Sequence, residues 1–107
     1  MELLRLNKII IQAKGSYVSE NGVHGGAIGR YNVIDAEDSY AIGYSNKIYG
    51  EKSSATGYGN TISGDNSFAS GRNNIVSGTR SFVTNTDNNV GGYANSVFGK
   101  GNELLGN

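Results

Sequence analysis

The chain contains no cysteine, so a disulfide framework and thiolate chemistry are both excluded. It contains no proline and one histidine, His24, which leaves a cysteine- or histidine-based zinc site without ligands. Neither sign of charge is in excess. Nine Lys and Arg balance nine Asp and Glu, which argues against nucleic-acid binding that depends on a basic surface. Long hydrophobic runs are also missing. Nothing approaches the roughly 20 apolar residues of a membrane helix, so this segment inserts no helix into a membrane. Residues 1–13 read MELLRLNKIIIQA and are broken by Glu2, Arg5, Asn7 and Lys8, unlike the continuous core of a secretory signal. The apolar share of 36% is low for a globular core, and 107 residues fit one domain at most.

What is abundant is glycine, with 17 copies, and asparagine, with 14. They recur in register. Residues 39–52 read SYAIGYSNKIYGEK and residues 53–66 read SSATGYGNTISGDN. Fourteen-residue units can be started at Ile11, Gly25, Ser39, Ser53, Ser67, Ser81 and Asn95 with no insertion. The third column reads Ala13, Ala27, Ala41, Ala55, Ala69, Val83, Val97. The eighth is asparagine from Asn32 to Asn102, and the tenth runs Ile34, Ile48, Ile62, Val76, Val90, Leu104. The fifth and twelfth columns are mostly glycine. Only the first unit departs badly, with Val18 and Glu20 in the asparagine and isoleucine columns, and it reads as a partial or capping coil.

Each unit is two halves of seven residues, but a coiled coil is excluded. A glycine every seven residues costs a helix about 1 kcal/mol each, and each heptad has a single steadily apolar position. Glycine and asparagine suit the left-handed backbone of tight turns, so each half is a short strand followed by a turn. Strand alternation points the third and tenth columns one way and their neighbours the other. The expected core is Ala27, Ile34, Ala41, Ile48, Ala55, Ile62, Ala69, Val76, Val83, Val90, Val97 and Leu104. One alanine and one isoleucine per coil bury too little to offset the ordering of fourteen residues. A second buried surface is therefore expected. The phenylalanine-bearing flanks of the alanine column, Ile28, Tyr40, Ile42, Phe68, Phe82 and Phe98, are expected to pack against the same face of other chains.

Ser-x-Ala-Ile-Gly at 39–43 followed by Asn-x-Ile-x-Gly at 46–50 resembles the head repeat of trimeric autotransporter adhesins, the YadA-like head. The resemblance covers 25–107 well and 11–24 loosely. It implies an all-β, left-handed parallel β-roll of 14-residue coils with two short strands per coil, assembled as a homotrimer. It further implies a non-enzymatic adhesive head on a bacterial surface fibre, binding host matrix protein, glycan or cells. The family's N-terminal export signal and C-terminal membrane barrel are not in this sequence. The alternative is therefore a trimeric virion protein, a phage fibre or capsid decoration that binds other virion proteins and sits on the virion surface.

Little in the variable columns suggests catalysis, and no cofactor or metal is expected. His24 reads as a solvent-facing loop residue. Asp35–Asp38 lacks the ligand spacing of a calcium loop and reads as a solvated turn. Gly57-Tyr58-Gly59 lacks the third glycine of a dinucleotide fingerprint and the strand–helix unit around it. The acidic residues do not recur at one lateral position, as a paired-carboxylate glycosidase would need. The sixth column holds Arg30, Tyr44, Tyr58 and Arg72 in successive units, an aromatic–basic ridge that either binds a ligand or stacks on itself over the turns. Residues 1–10 are expected to cap the open first coil or to dock the chain on a larger assembly, with the roll occupying 11–107.

Overall fold

In the computed structural model, residues 8–11, 15–21 and 24–106 are described. They form a parallel β-solenoid of about six turns. Each coil contributes one strand to each of two seven-stranded sheets, in the orders β1-β3-β5-β7-β9-β11-β13 and β14-β12-β10-β8-β6-β4-β2. The first sheet has the longer strands: β1 (Lys8–Ile11), β3 (Gly25–Arg30), β5 (Tyr40–Tyr44), β7 (Ser54–Tyr58), β9 (Phe68–Arg72), β11 (Phe82–Thr86) and β13 (Ser96–Lys100). The second is built from two-residue strands: β2 (Tyr17–Val18), β4 (Val33–Ile34), β6 (Lys47–Ile48), β8 (Thr61–Ile62), β10 (Ile75–Val76), β12 (Asn89–Val90) and β14 (Glu103–Leu104). From β3 onward the register is strict, Ala41 on Ala55 on Ala69 and Ile48 on Ile62 on Val76.

The first coil does not obey that register. Ile10 lies opposite Ala27 and Val18 opposite Ile34, offsets of 17 and 16 residues where later coils keep 14. The uninterrupted register is therefore wrong here. One residue is inserted in the first turn of this coil and two in the second. This returns Val18 to the isoleucine file and puts Ser16 in the asparagine file, where its hydroxyl accepts the Asn32 N–H at 3.2 Å. Lys8–Ile10, expected within a capping segment, pair with β3 as part of the sheet. Residues 1–7 lie outside the described residues.

Four files run up the interior. Alanine or valine faces isoleucine or valine, and residues from Ala27 to Val90 in these two files are fully buried, with Val97 and Leu104 at the open end. Burying each isoleucine contributes about 1.5–3 kcal/mol. The other two files are polar and just as buried: Asn32, Asn46, Asn60, Asn74 and Asn88 at one turn, Ser39, Ser53, Ser67 and Ser81 at the other. Asn60 donates its main-chain N–H and its Nδ2 to the Asn46 Oδ1, at 3.1 and 3.0 Å, and Nδ2 also reaches the Gly71 carbonyl at 3.0 Å. The Ser53 hydroxyl donates to Gly64 O at 3.0 Å and accepts the Ser67 N–H at 3.0 Å. No buried side-chain polar atom among the described residues lacks a partner. The estimate that two small apolar residues cannot hold a coil left these ladders out. Each satisfied bond contributes about 1 kcal/mol, and each would cost more if broken.

Turn chemistry also differs from expectation in detail. The left-handed positions are mainly the seventh and fourteenth columns, among them Tyr31, Ser45, Asn73 and Asp87 (φ 57–58°) and Asp38, Lys52 and Asn66 (φ 54–57°). Gly57, in the fifth column, has φ 110°, beyond the reach of ordinary side chains. Gly64, in the twelfth column, has no such backbone. It is glycine because a Cβ there would run into the carbonyl of Gly78 one coil on.

Candidate functional site

With the third, eighth and tenth columns inside, the second and fourth face outward from the long-strand sheet. From β3 to β13 they carry Gly26 and Ile28, Tyr40 and Ile42, Ser54 and Thr56, Phe68 and Ser70, Phe82 and Thr84, Ser96 and Phe98. None is charged. The opposite sheet presents Lys47, Asp35 and Glu103 among its outward residues. Strict register makes the uncharged face a two-dimensional lattice. Side chains repeat about every 4.8 Å across strands and about 6.7 Å along them.

Ile28, Tyr40, Ile42, Phe82 and Phe98, expected between chains, are exposed on this face, and Phe68 is half-buried. The three phenylalanines touch one another. Phe68 and Phe82 stack at 5.2 Å, and Phe98 meets Phe82 edge-on at 5.7 Å.

The sixth column borders this face. The Arg30 guanidinium lies over the Tyr44 ring at 5.2 Å, and Tyr44 stacks on Tyr58 at 5.0 Å with planes 3° apart. Arg72 follows Tyr58 in register. Tyr31, which column-by-column reading passed over, packs its edge on Tyr44 at 5.7 Å. Arg30, Tyr44 and Tyr58 thus stack in sequence along the turn, while Tyr58 keeps half of its surface exposed.

At the opposite turn the acidic residues gather around an open cavity of about 320 Å³ lined by Glu20, Asn21, Asp35, Glu37, Tyr49 and Glu51. The Asp35 carboxylate accepts hydrogen bonds from the Ser19 hydroxyl and from Asn21 Nδ2, which hold it below its ordinary pKa. No group of acidic or histidine side chains among the described residues has the arrangement of a metal site. His24 is exposed and sits 3.3 Å from Asp38, which also lies 3.7 Å from Lys52, a surface charge file of small energetic weight.

The model of the grass antifreeze β-roll matches residues 13–107. The chain belongs to that family. No curated protein is significantly similar to it. The match corrects the adhesin reading. The chain is not assigned to the YadA-like heads, and neither host matrix, glycan and cell surfaces nor virion proteins are its indicated partners. The reason is physical. Of the residues that carried the resemblance, Ser39, Ala41, Asn46, Ile48 and Gly50 are buried and Gly43 is half-buried, while Ile42 alone is exposed. The buried ones describe the inside of a tight two-strand coil, whatever its outside binds.

Proposed function

We propose that this antifreeze roll adsorbs to ice through the outward face of its long-strand sheet. The function is non-enzymatic, since adsorption makes and breaks no covalent bond. The observation that carries the reading is the uncharged, in-register face from Ile28 to Phe98 in a chain of this family. Charged side chains hold disordered hydration shells that an ice surface would have to strip. Hydroxyl, methyl and ring groups impose no such penalty, and the sheet holds them at fixed spacing. A rigid backbone matters equally, because a mobile face would lose conformational freedom on adsorption.

The test is adsorption of the fluorescently labelled chain to a growing single ice crystal, alongside Ser70→Lys on the proposed face and Ser77→Lys on the opposite sheet. Wild type and Ser77→Lys are expected in the ice, with Ser70→Lys excluded from it. Exclusion of wild type would end the reading, and loss through Ser77→Lys alone would move the site to the other sheet.

A further inference from the structure

The two turn edges of the roll carry opposite charge. From Gly25 onward, the sixth and seventh columns at the asparagine turn hold the cations Arg30, Arg72 and Lys100 against the single anion Asp87. The thirteenth and fourteenth columns at the serine turn hold the anions Glu37, Asp38, Glu51 and Asp65 against Lys52 and Arg80. All of these are exposed except Asp38, which is half-buried and engaged with His24 and Lys52 on its own edge. Arg72, Asp87, Asp65 and Arg80 form no ion pair among the described residues. Two of them are nonetheless held in place. The Asp65 carboxylate accepts the Glu51 main-chain N–H at 2.9 Å. The Arg80 guanidinium donates to the Tyr93 hydroxyl at 2.6 Å, which leaves most of its N–H donors unused.

The order of charges along the edges matters as much as their sum. Set two copies side by side in the same orientation, so that the asparagine turn of one meets the serine turn of the next. At one level each asparagine-turn residue meets the serine-turn residue seven positions earlier in sequence. Arg72 then meets Asp65, Asp87 meets Arg80, and Lys100 meets the Tyr93 ring. The Tyr44 and Tyr58 hydroxyls meet Glu37 and Glu51. Shifted by one coil, Arg72 falls instead at Thr79 and Arg80, and Asp87 at Ala94, so both opposite-charge pairs are lost. The sign reversal at Asp87 is matched by the reversal at Arg80 only at the first level.

We propose that the roll associates edge to edge with copies of itself at this level. The contact is heterologous, so it repeats from copy to copy. Neighbours are related by translation, and their long-strand sheets face the same way. The consequence for ice, a raft of coplanar faces, rests on the ice-binding reading; the association itself does not. With extents of 46 Å and 13 Å, an edge offers on the order of 600 Å² per partner, the low end of specific interfaces. The association is therefore weak, and its exposed ion pairs make it sensitive to salt.

The experiment is sedimentation equilibrium at pH 7 over a dilution series to about 1 mM, in about 10 mM and about 1 M salt. The wild-type mass should climb above the 11.3 kDa monomer at low salt and return to it at high salt. Arg80→Asp and Asp87→Arg should each weaken association about tenfold or more, and the double swap should restore it. The swap suits the backbone, since φ is 57° at Arg80 and 58° at Asp87. Lys47→Asp, on the short-strand sheet, changes net charge as Arg80→Asp does and should associate as wild type. A monomeric wild type at low salt would overturn the proposal and leave ice adsorption untouched. So would single reversals that associate normally, or a folded double swap that stays monomeric. Association that persists in 1 M salt and ignores the reversals would place the contact on the aromatic face, and the proposal would fall. Should the swap melt early, Asp65→Arg with Arg72→Asp decides by the same rescue.

Discussion

Asn46 places its main-chain N–H and its Nδ2 on a single acceptor, the Asn32 Oδ1, at 3.0 and 3.1 Å. The same geometry climbs through Asn60, Asn74, Asn88 and Asn102, so each coil is hydrogen-bonded to the last through its interior. The ladder ties each coil to the next at a fixed height and phase, which keeps the outward columns in register.

Asn60→Ala should therefore be among the most damaging single changes. It removes the acceptor of the Asn74 N–H and Nδ2 and the donor to the Thr56 and Gly71 carbonyls, all in a buried file. A loss of about 3 kcal/mol or more is expected, lowering the thermal midpoint by on the order of 10 °C. Circular dichroism melting checks it. A shift of only a degree or two would mean that the ladder is ornamental.

The fifth column supplies a matched pair of opposite sign. Gly57→Ala puts a side chain on a φ of 110° and drives its Cβ into the Gly71 carbonyl, for an expected loss of about 2 kcal/mol or more. Asn85 occupies the same column with its φ pulled in to 84°. Asn85→Gly should relieve that position and raise stability by up to about 1 kcal/mol. Denaturant unfolding of both variants reads the two signs directly.

Tyr44 and Tyr58 spend their faces on each other and on Arg30. Changing both to Ser should lower stability by about 1 kcal/mol and leave adsorption to ice unchanged. Paired melting and ice-adsorption measurements separate the two effects. Loss of adsorption at unchanged stability would make the ridge part of the binding face.

Acid should weaken the first coils through Asp35. Its pKa is depressed in the folded chain by the Ser19 and Asn21 hydrogen bonds. Its contribution is thus complete above the ordinary carboxylate pKa of about 3.9 and fades as pH falls through the lower folded value. The melting difference between wild type and Asp35→Asn should be constant from about pH 7 to 5 and shrink below about pH 4. A difference that grows toward acid would have the wrong sign.

The coil period, the two strands per coil and the parallel stacking were legible because glycine, asparagine and small apolar residues return in fixed columns. The first coil was not. Its inserted residues break the period, and the surviving signal was the apolar runs Ile9–Ile11 and Tyr17–Val18, which fit only a register allowed to slip. Tyr31 escaped notice because it lies one column from the ridge and joins it only through the turn. Function was harder for a different reason. The recurring residues are those the fold consumes, such as Asn46 and Gly57. On the proposed reading the ligand would meet the outward second and fourth columns, such as Thr56 and Ser70, and these columns vary from coil to coil.

The most direct test of the central claim is to grow a single ice crystal in a solution of the labelled chain and image where the label goes. Adsorption should appear on defined crystal planes of the ice and persist as the crystal thickens. Rejection of the label into the surrounding liquid, as for an ordinary soluble protein, would contradict ice binding by this roll.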